Sequence, residues 1–205
     1  MNRYEKYILP RLVHLVCRQK DIELRRKKMI PEAVGSVLEI GMGSGLNMPF
    51  YRPDKIRHLW GVEPSGHLRR IADQAARESR IPLEWVSLYG EQIPLEQNSA
   101  DTIVVTYALC TIPGVKQALS EMRRILKPGG QLLFCEHGRA PDNHIRQWQD
   151  RLTPCWMRVS GGCHLNRPIA DLIRESGFQI QKMEKGYAGA VKVTSYNYTG
   201  TAVIR

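Results

Sequence analysis

The chain has 205 residues, and its 30 Lys and Arg against 20 Asp and Glu give a formal charge of +10; this length fits one α/β domain, residues 1–205, and leaves little room for a second. No run reaches the roughly 18 consecutive apolar residues of a membrane span and no secretory signal is evident, which predicts a cytoplasmic protein. Five cysteines, odd in number and without a C-x-x-C pair, fit reduced thiols better than a disulfide framework and argue against a structural zinc site.

From Tyr4 to about Met29, Ile8, Leu12, Leu15, Val16, Ile22 and Leu24 recur at roughly helical spacing, with Pro10 favouring a break near the start. Arg18, Lys20, Arg25, Arg26, Lys27 and Lys28 crowd the same stretch. Residues 1–30 therefore read as a basic amphipathic helix. It either packs its apolar side over the domain or makes peripheral contact with anionic membrane.

Short apolar runs then alternate with helix-compatible stretches. Strands are expected at Ser36–Ile40, Leu59–Glu63, Leu83–Leu88, Thr102–Tyr107 and Gln131–Glu136, and helices at Gly66–Arg80 and Val115–Leu126. Repeated strand–helix–strand units predict right-handed crossovers and a parallel sheet covered on both faces. Residues 34–137 form the expected ligand-binding core, and residues 138–205 the substrate-side helices and a terminal hairpin. Trp148, Leu152, Trp156 and Met157 fall at helical spacing within His144–Val159. They read first as the packed face of a helix and otherwise as an apolar roof for a hydrophobic substrate. Ala170–Ser176 reads as a helix closed by Gly177. Phe178–Lys185 and Asn197–Ile204 read as an antiparallel pair at one end of the sheet.

The most informative segment is Val37-Leu38-Glu39-Ile40-Gly41-Met42-Gly43-Ser44-Gly45, a strand running into G-x-G-x-G. Glycines at the carboxyl end of a parallel strand let the backbone turn tightly and approach a ligand. Glu63 closes the second strand, where a carboxylate can accept both hydroxyls of a ribose. A nicotinamide oxidoreductase would use G-x-G-x-x-G, and here the third glycine comes one residue early. Glu39 adds an anion that suits a cationic ligand and opposes pyrophosphate. A non-catalytic basic module for nucleic acid rests on net charge alone.

These segments resemble the class I S-adenosylmethionine-dependent methyltransferases, whose first motif reads E-x-G-x-G-x-G as in Glu39 to Gly45. Gly90-Glu91-Gln92-Ile93-Pro94 with Ser99-Ala100-Asp101, and Leu126-Lys127-Pro128-Gly129-Gly130, are similar to further motifs of the ubiquinone-biosynthesis-like branch. The resemblance implies an α/β, Rossmann-like class I methyltransferase fold. Its sheet would have seven mostly parallel strands with an antiparallel C-terminal strand, and helices on both faces. It also implies S-adenosylmethionine as methyl donor and S-adenosylhomocysteine as product. Gly41, Gly43 and Gly45 would line the methionine and ribose, Glu63 would hold the ribose hydroxyls, and Gly90, Glu91 and Gln92 would border the adenine. Thr106, Tyr107 and Leu109 would lie beneath the cofactor, with Glu39, Asn47 and Pro64 completing its site. Tyr89 departs from the Asp or Asn of many relatives, so Glu91 or backbone would meet the adenine.

Tyr107-Ala108-Leu109-Cys110-Thr111-Ile112, Phe134-Cys135-Glu136-His137 and Gly162-Cys163-His164-Leu165-Asn166-Arg167 are similar to segments of the methyltransferase-like group containing thiol S-methyltransferases. Relatives there carry an N-terminal membrane anchor where this chain has the basic helix. The implied acceptor is a small, hydrophobic molecule: a thiol first, then a phospholipid amine or a quinone-like ring. His137 is the candidate general base, and otherwise orients substrate or caps the strand end; Glu136 would orient its ring or bind a cationic acceptor. Cys110 reads as pocket lining; Cys163 and His164 read first as a packed cysteine and a surface histidine, and otherwise as part of the far wall. No metal is expected. The strand-four sequence Thr106-Tyr107-Ala108-Leu109 lacks an Asn-Pro-Pro-Tyr-type segment, which argues against nucleic acid as acceptor.

Overall fold

The computed structural model describes Tyr4 and residues 9–87 and 92–205. In chain order its main elements are α1 (Leu9–Cys17), α2 (Lys20–Met29), β1 (Gly35–Ile40), β2 (Ile56–Val62), α3 (Gly66–Ser79), β3 (Leu83–Trp85), β4 (Ala100–Thr106), α4 (Val115–Ile125), β5 (Leu126–His137), α5 (Asn143–Val159), α6 (Ile169–Glu175), β6 (Phe178–Tyr187), the one-turn α7 (Lys192–Ser195) and β7 (Tyr196–Ile204). Each expected strand and helix forms, with three notable shifts. The N-terminal helix is two helices separated at Arg18–Gln19, β3 stops at Trp85, and β5 begins five residues early at Leu126.

The strand order is β3-β2-β1-β4-β5-β7-β6. The first five strands run parallel, and β7 lies antiparallel between β5 and β6. This is the mostly parallel seven-stranded sheet the sequence implies. The connections leave β1 in one direction toward β2 and β3 and then cross to β4, so the order reverses between β1 and β4. A crevice opens at such a switch point, outside the carboxyl ends of the strands. Ile40 is level with both Val62 and Val105, and Val105 with Phe134. The residues that follow on β1, β2, β4 and β5 therefore emerge at one edge.

Strand alternation divides the core. Leu38, Ile40, Ile103, Val105 and Phe134 pack with Leu119, Met122 and Ile125 of α4 and Ile169, Leu172 and Ile173 of α6. Val37, Leu59, Val104 and Leu133 pack on the other face with Met29 of α2 and Ala72 and Ala76 of α3. Helices cover both faces because the inner strands are apolar on both.

Two helices depart from their sequence patterns. Leu12, Leu15 and Val16 of α1 are 45%, 69% and 51% exposed, so this apolar stripe does not pack over the domain. On α5, Trp148 and Leu152 are exposed and Trp156 and Met157 half-buried, while Gln149 and Thr153 are buried. The inward side of α5 is polar because Gln149 fastens the chain leaving β5. Its Oε1 accepts from the Ala140 N–H at 2.9 Å, and its Nε2 donates to the Gly138 and Val193 carbonyls, each at 3.1 Å.

Candidate active site

The loop after β1 is left-handed at Gly41, Gly43 and Gly45, with φ of 69°, 59° and 75°. A Cβ on Gly41 would stand 2.5 Å from the Cβ of Ala108, so the loop touches the end of β4 without clearance. A Cβ on Gly43 would meet nothing nearer than the Gly41 carbonyl oxygen at 4.0 Å. At Gly43 glycine thus serves the backbone angle and leaves open space where a ligand can approach.

Two buried carboxylates frame this loop. Glu39 accepts from Asn47 Nδ2 at 2.8 Å and from the Tyr51 hydroxyl at 2.6 Å. Burial pushes its carboxyl up to about 7, against the opposing effect of those two donors. An approaching cation favours the ionised form. Glu63 accepts from Gly43 N–H at 3.0 Å and Ser65 N–H at 2.8 Å, tying the loop to the start of α3. Burial raises its carboxyl, and the two backbone donors work in the opposite direction. Asn47 Nδ2 also reaches Thr106 Oγ1 at 3.1 Å, while its buried Oδ1 has no hydrogen-bond partner. That orphaned acceptor, the Gly43 space and two carboxylates fit a ligand carrying an ammonium and a ribose. S-adenosylmethionine has both.

The neighbouring strand ends carry different chemistry. After β4, Tyr107 adopts φ 54°, an uncommon left-handed angle for a non-glycine residue, and its hydroxyl donates to Asn197 Oδ1 at 2.7 Å. The fully buried Glu136 accepts from the N–H groups of Ala108 at 2.7 Å, Leu109 at 3.0 Å and Cys110 at 3.2 Å. Arg167 Nη1 holds the other polarity of the same turn through the carbonyls of Leu109 and Ile112. Segment 107–112 is therefore fastened by one carboxylate and one guanidinium from distant parts of the chain. The Cys110 carbonyl in turn accepts from His164 N–H at 2.8 Å, bringing the loop after α5 onto this turn.

That loop completes a compact group. Cys163 Sγ lies 3.2 Å from His137 Nε2 and 3.7 Å from Cys110 Sγ. Cys110 and His137 are buried, and Cys163 is the partly exposed corner. Burial disfavours the His137 imidazolium, but the adjacent Cys110 sulfur and the Glu136 carboxylate outweigh it and raise the pKa.

The N-terminal helices reach this edge from above. His14 Nδ1 lies 2.6 Å from Ser44 Oγ, so α1 touches the glycine loop. Arg26 is buried, its guanidinium 5.6 Å from the Tyr107 ring centre and donating to the Cys17 carbonyl. One of the basic residues read as a surface charge therefore belongs to the site.

Of the residues singled out from sequence, Glu39, Gly41, Gly43, Gly45, Asn47, Glu63, Thr106 and Tyr107 gather around the crevice, and Leu109 is fully buried behind it. Pro64 and Gln92 are exposed. Gly90 and Glu91 lie outside the described residues, as does Tyr89. Glu136 does not orient the His137 ring: its oxygens are taken by three backbone N–H groups, which places it as a brace for segment 108–110. Arg26, Arg167 and the pairing of Cys110 with Cys163 escaped the sequence reading. A strongly basic chain offers no local mark of which arginines are buried, and Cys110 and Cys163 stand 53 positions apart.

Replacing Glu63 with alanine should weaken S-adenosylmethionine binding by about 1–3 kcal/mol, the usual cost of removing one partner of a buried polar contact. Titration calorimetry measures it directly, and an unchanged affinity would remove Glu63 from the donor site.

Residues 38–134 match a family described as a methyltransferase domain. Thiol S-methyltransferase TMT1B of Rattus norvegicus is 33% identical over 153 residues, covering 73% of this chain and 62% of that protein. The ubiquinone/menaquinone biosynthesis C-methyltransferase UbiE of Brucella canis is 30% identical over 126 residues, 58% of this chain and 46% of that one. The chain thus spans less than two thirds of the length of these curated relatives. Among solved structures, a SAM-dependent methyltransferase of Thermotoga maritima superposes with a TM-score of 0.64 at 22% identity, covering 95% of this chain and 98% of that chain.

Proposed function

We propose that this chain, whose residues 38–134 match a methyltransferase-domain family, transfers a methyl group from S-adenosylmethionine to a small, hydrophobic thiol. When bound, S-adenosylmethionine supplies an electrophilic methyl carbon. The observation that carries the reading is the conjunction of a glycine cradle closed by Glu63 with a polar group, centred on His137, at the adjoining strand ends. The 33% identity to a thiol S-methyltransferase favours sulfur as the acceptor atom.

In this reading Gly41, Gly43 and Gly45 line the donor, Glu63 takes its ribose hydroxyls, and Glu39 with Asn47 Oδ1 meets its positive end. Gln92 borders the adenine, and Thr106, Tyr107 and Leu109 form the floor beside Pro64. Glu136 and Arg167 hold segment 107–112 rigid, so that the acceptor is positioned rather than free. Much of the acceleration of an in-line displacement comes from such positioning in a dry pocket. A thiol must also become a thiolate, and His137 is the residue that raises the thiolate fraction.

A second reading concerns where the reaction takes place. The exposed Leu12, Leu15 and Val16 on α1, followed by the exposed Arg18 and Lys20, support peripheral contact with anionic membrane. A phospholipid amine or quinone precursor would then be reachable as acceptor, and the likeness to a quinone-pathway enzyme keeps that alternative. Methyl-labelled S-adenosylmethionine offered with alkyl thiols, phosphatidylethanolamine vesicles, quinol precursors and RNA should label the thiols. Label confined to lipid or quinol would overturn the thiol reading. Binding to anionic vesicles should weaken as salt rises, because exposed charges are screened over about 8 Å at physiological ionic strength. No sedimentation with vesicles at low salt would remove the membrane contact.

A further inference from the structure

We propose that Cys110, His137 and Cys163 bind one Zn²⁺ whose fourth coordination position receives the acceptor thiol; the second half of this inference rests on the thiol reading above. The ligand atoms of these three residues all lie within 4.8 Å of one another. Two thiolates on a tetrahedral zinc at about 2.3 Å each stand about 3.8 Å apart, and a thiolate and an imidazole nitrogen about 3.5 Å apart. The structure places Cys110 Sγ and Cys163 Sγ 3.7 Å apart and Cys163 Sγ 3.2 Å from His137 Nε2. On these two edges the spacing is within a few tenths of an ångström of that of a zinc site, and the third, from Cys110 to His137, is no longer than 4.8 Å.

The donor set selects the metal. Two sulfurs and an imidazole are soft and borderline donors that prefer zinc to magnesium or calcium. Glu136, the nearest carboxylate in sequence, is spent on backbone N–H groups. Among the described residues the group contains no fourth Cys, His, Asp or Glu. Three protein ligands and one free position are the arrangement of catalytic zinc sites. Cys163, the partly exposed corner, marks the side from which the fourth ligand enters. The scaffold is braced: Glu136 and Arg167 fix the turn that carries Cys110, and His164 N–H ties the Cys163 loop to the Cys110 carbonyl.

On metal binding the two cysteine thiols release two protons to solvent. An acceptor thiol then loses its own proton to solvent and binds as thiolate. Its sulfur lone pair forms the new S–C bond to the donor methyl as the donor S–C bond breaks, and the leaving electron pair neutralises the sulfonium. The methylated product is a neutral thioether, a weaker ligand, and departs. His137 acts here as a ligand and raises the thiolate fraction through the metal.

The test is metal content of the full chain, purified under reducing conditions, incubated with excess Zn²⁺ and desalted. About one zinc per chain is expected, with a thiolate-to-metal charge-transfer band when Co²⁺ replaces it. Cys163→Ser should lower zinc affinity by roughly tenfold or more and remove the band, while Cys155→Ser, at an exposed position of α5, should change neither. Circular dichroism and S-adenosylmethionine affinity show that each variant is folded. Wild-type protein that retains no zinc, or Cys163→Ser that binds it equally well, overturns the site. Thiol methylation by metal-free protein overturns the inference and leaves the thiol reading intact. Zinc held through Cys163 with no methylation of any thiol supports the site and overturns the thiol reading.

Discussion

Glu136→Ala should destabilise the protein by about 3–5 kcal/mol, because it strands three buried N–H groups that each cost about 1–3 kcal/mol when left without a partner. That is a large share of the roughly 5–15 kcal/mol by which domains are stable. The loss falls on the turn at Ala108, Leu109 and Cys110, all buried, where water cannot substitute for the lost carboxylate. Glu136→Gln should cost less. It keeps an acceptor oxygen for Ala108 and Leu109 but turns an amide NH₂ toward the Cys110 N–H. Urea denaturation of the two variants measures both effects. A Glu136→Ala midpoint matching the wild type would show that the turn stands without its brace.

On the proposed thiol reading, His137→Ala should lower kcat/KM for thiol methylation by about 10²–10⁴-fold, the usual scale for removing a group that manages a proton. Its ring faces Cys163 at the end of β5, whereas Glu39, Asn47 and Glu63, the groups proposed to hold the donor, follow or close β1 and β2. S-adenosylmethionine affinity should therefore change by less than about twofold while turnover collapses. Thiols with lower pKa should suffer least, since they are already thiolates at neutral pH. Equal turnover by His137→Ala on a high-pKa thiol would take His137 out of the reaction.

The gathering of the proposed donor-side residues around the crevice was legible because they are local in the chain. A strand, three glycines, and an acid at the end of the next strand occupy Glu39 to Glu63, and spacing along the chain becomes spacing in space. Asn47 belongs to this class. The arrangement of the proposed acceptor side was legible only in part. His137 is marked by its place at a strand end, whereas Glu136 beside it, expected to serve the ring, turns to the backbone of 108–110 instead. The apolar stripes of α1 and α5 also misled. Helical periodicity reports that one face is apolar, not that the domain covers that face, and Leu12, Leu15, Trp148 and Leu152 remain exposed.

The sequence by itself thus determined the strand and helix succession, the parallel sheet with one reversed strand, and the glycine loop with its two carboxylates. Period-two and period-3.6 patterns, turn glycines and strand-end acids act over short stretches of chain. Only the tertiary structure decided that Arg26 lies over Tyr107, that Arg167 braces segment 107–112, and that Cys110, His137 and Cys163 converge. Those contacts join residues 26 to 81 positions apart. Their geometry depends on strand order and on one buried charge satisfying several backbone groups at once, and neither has a local signature in the chain.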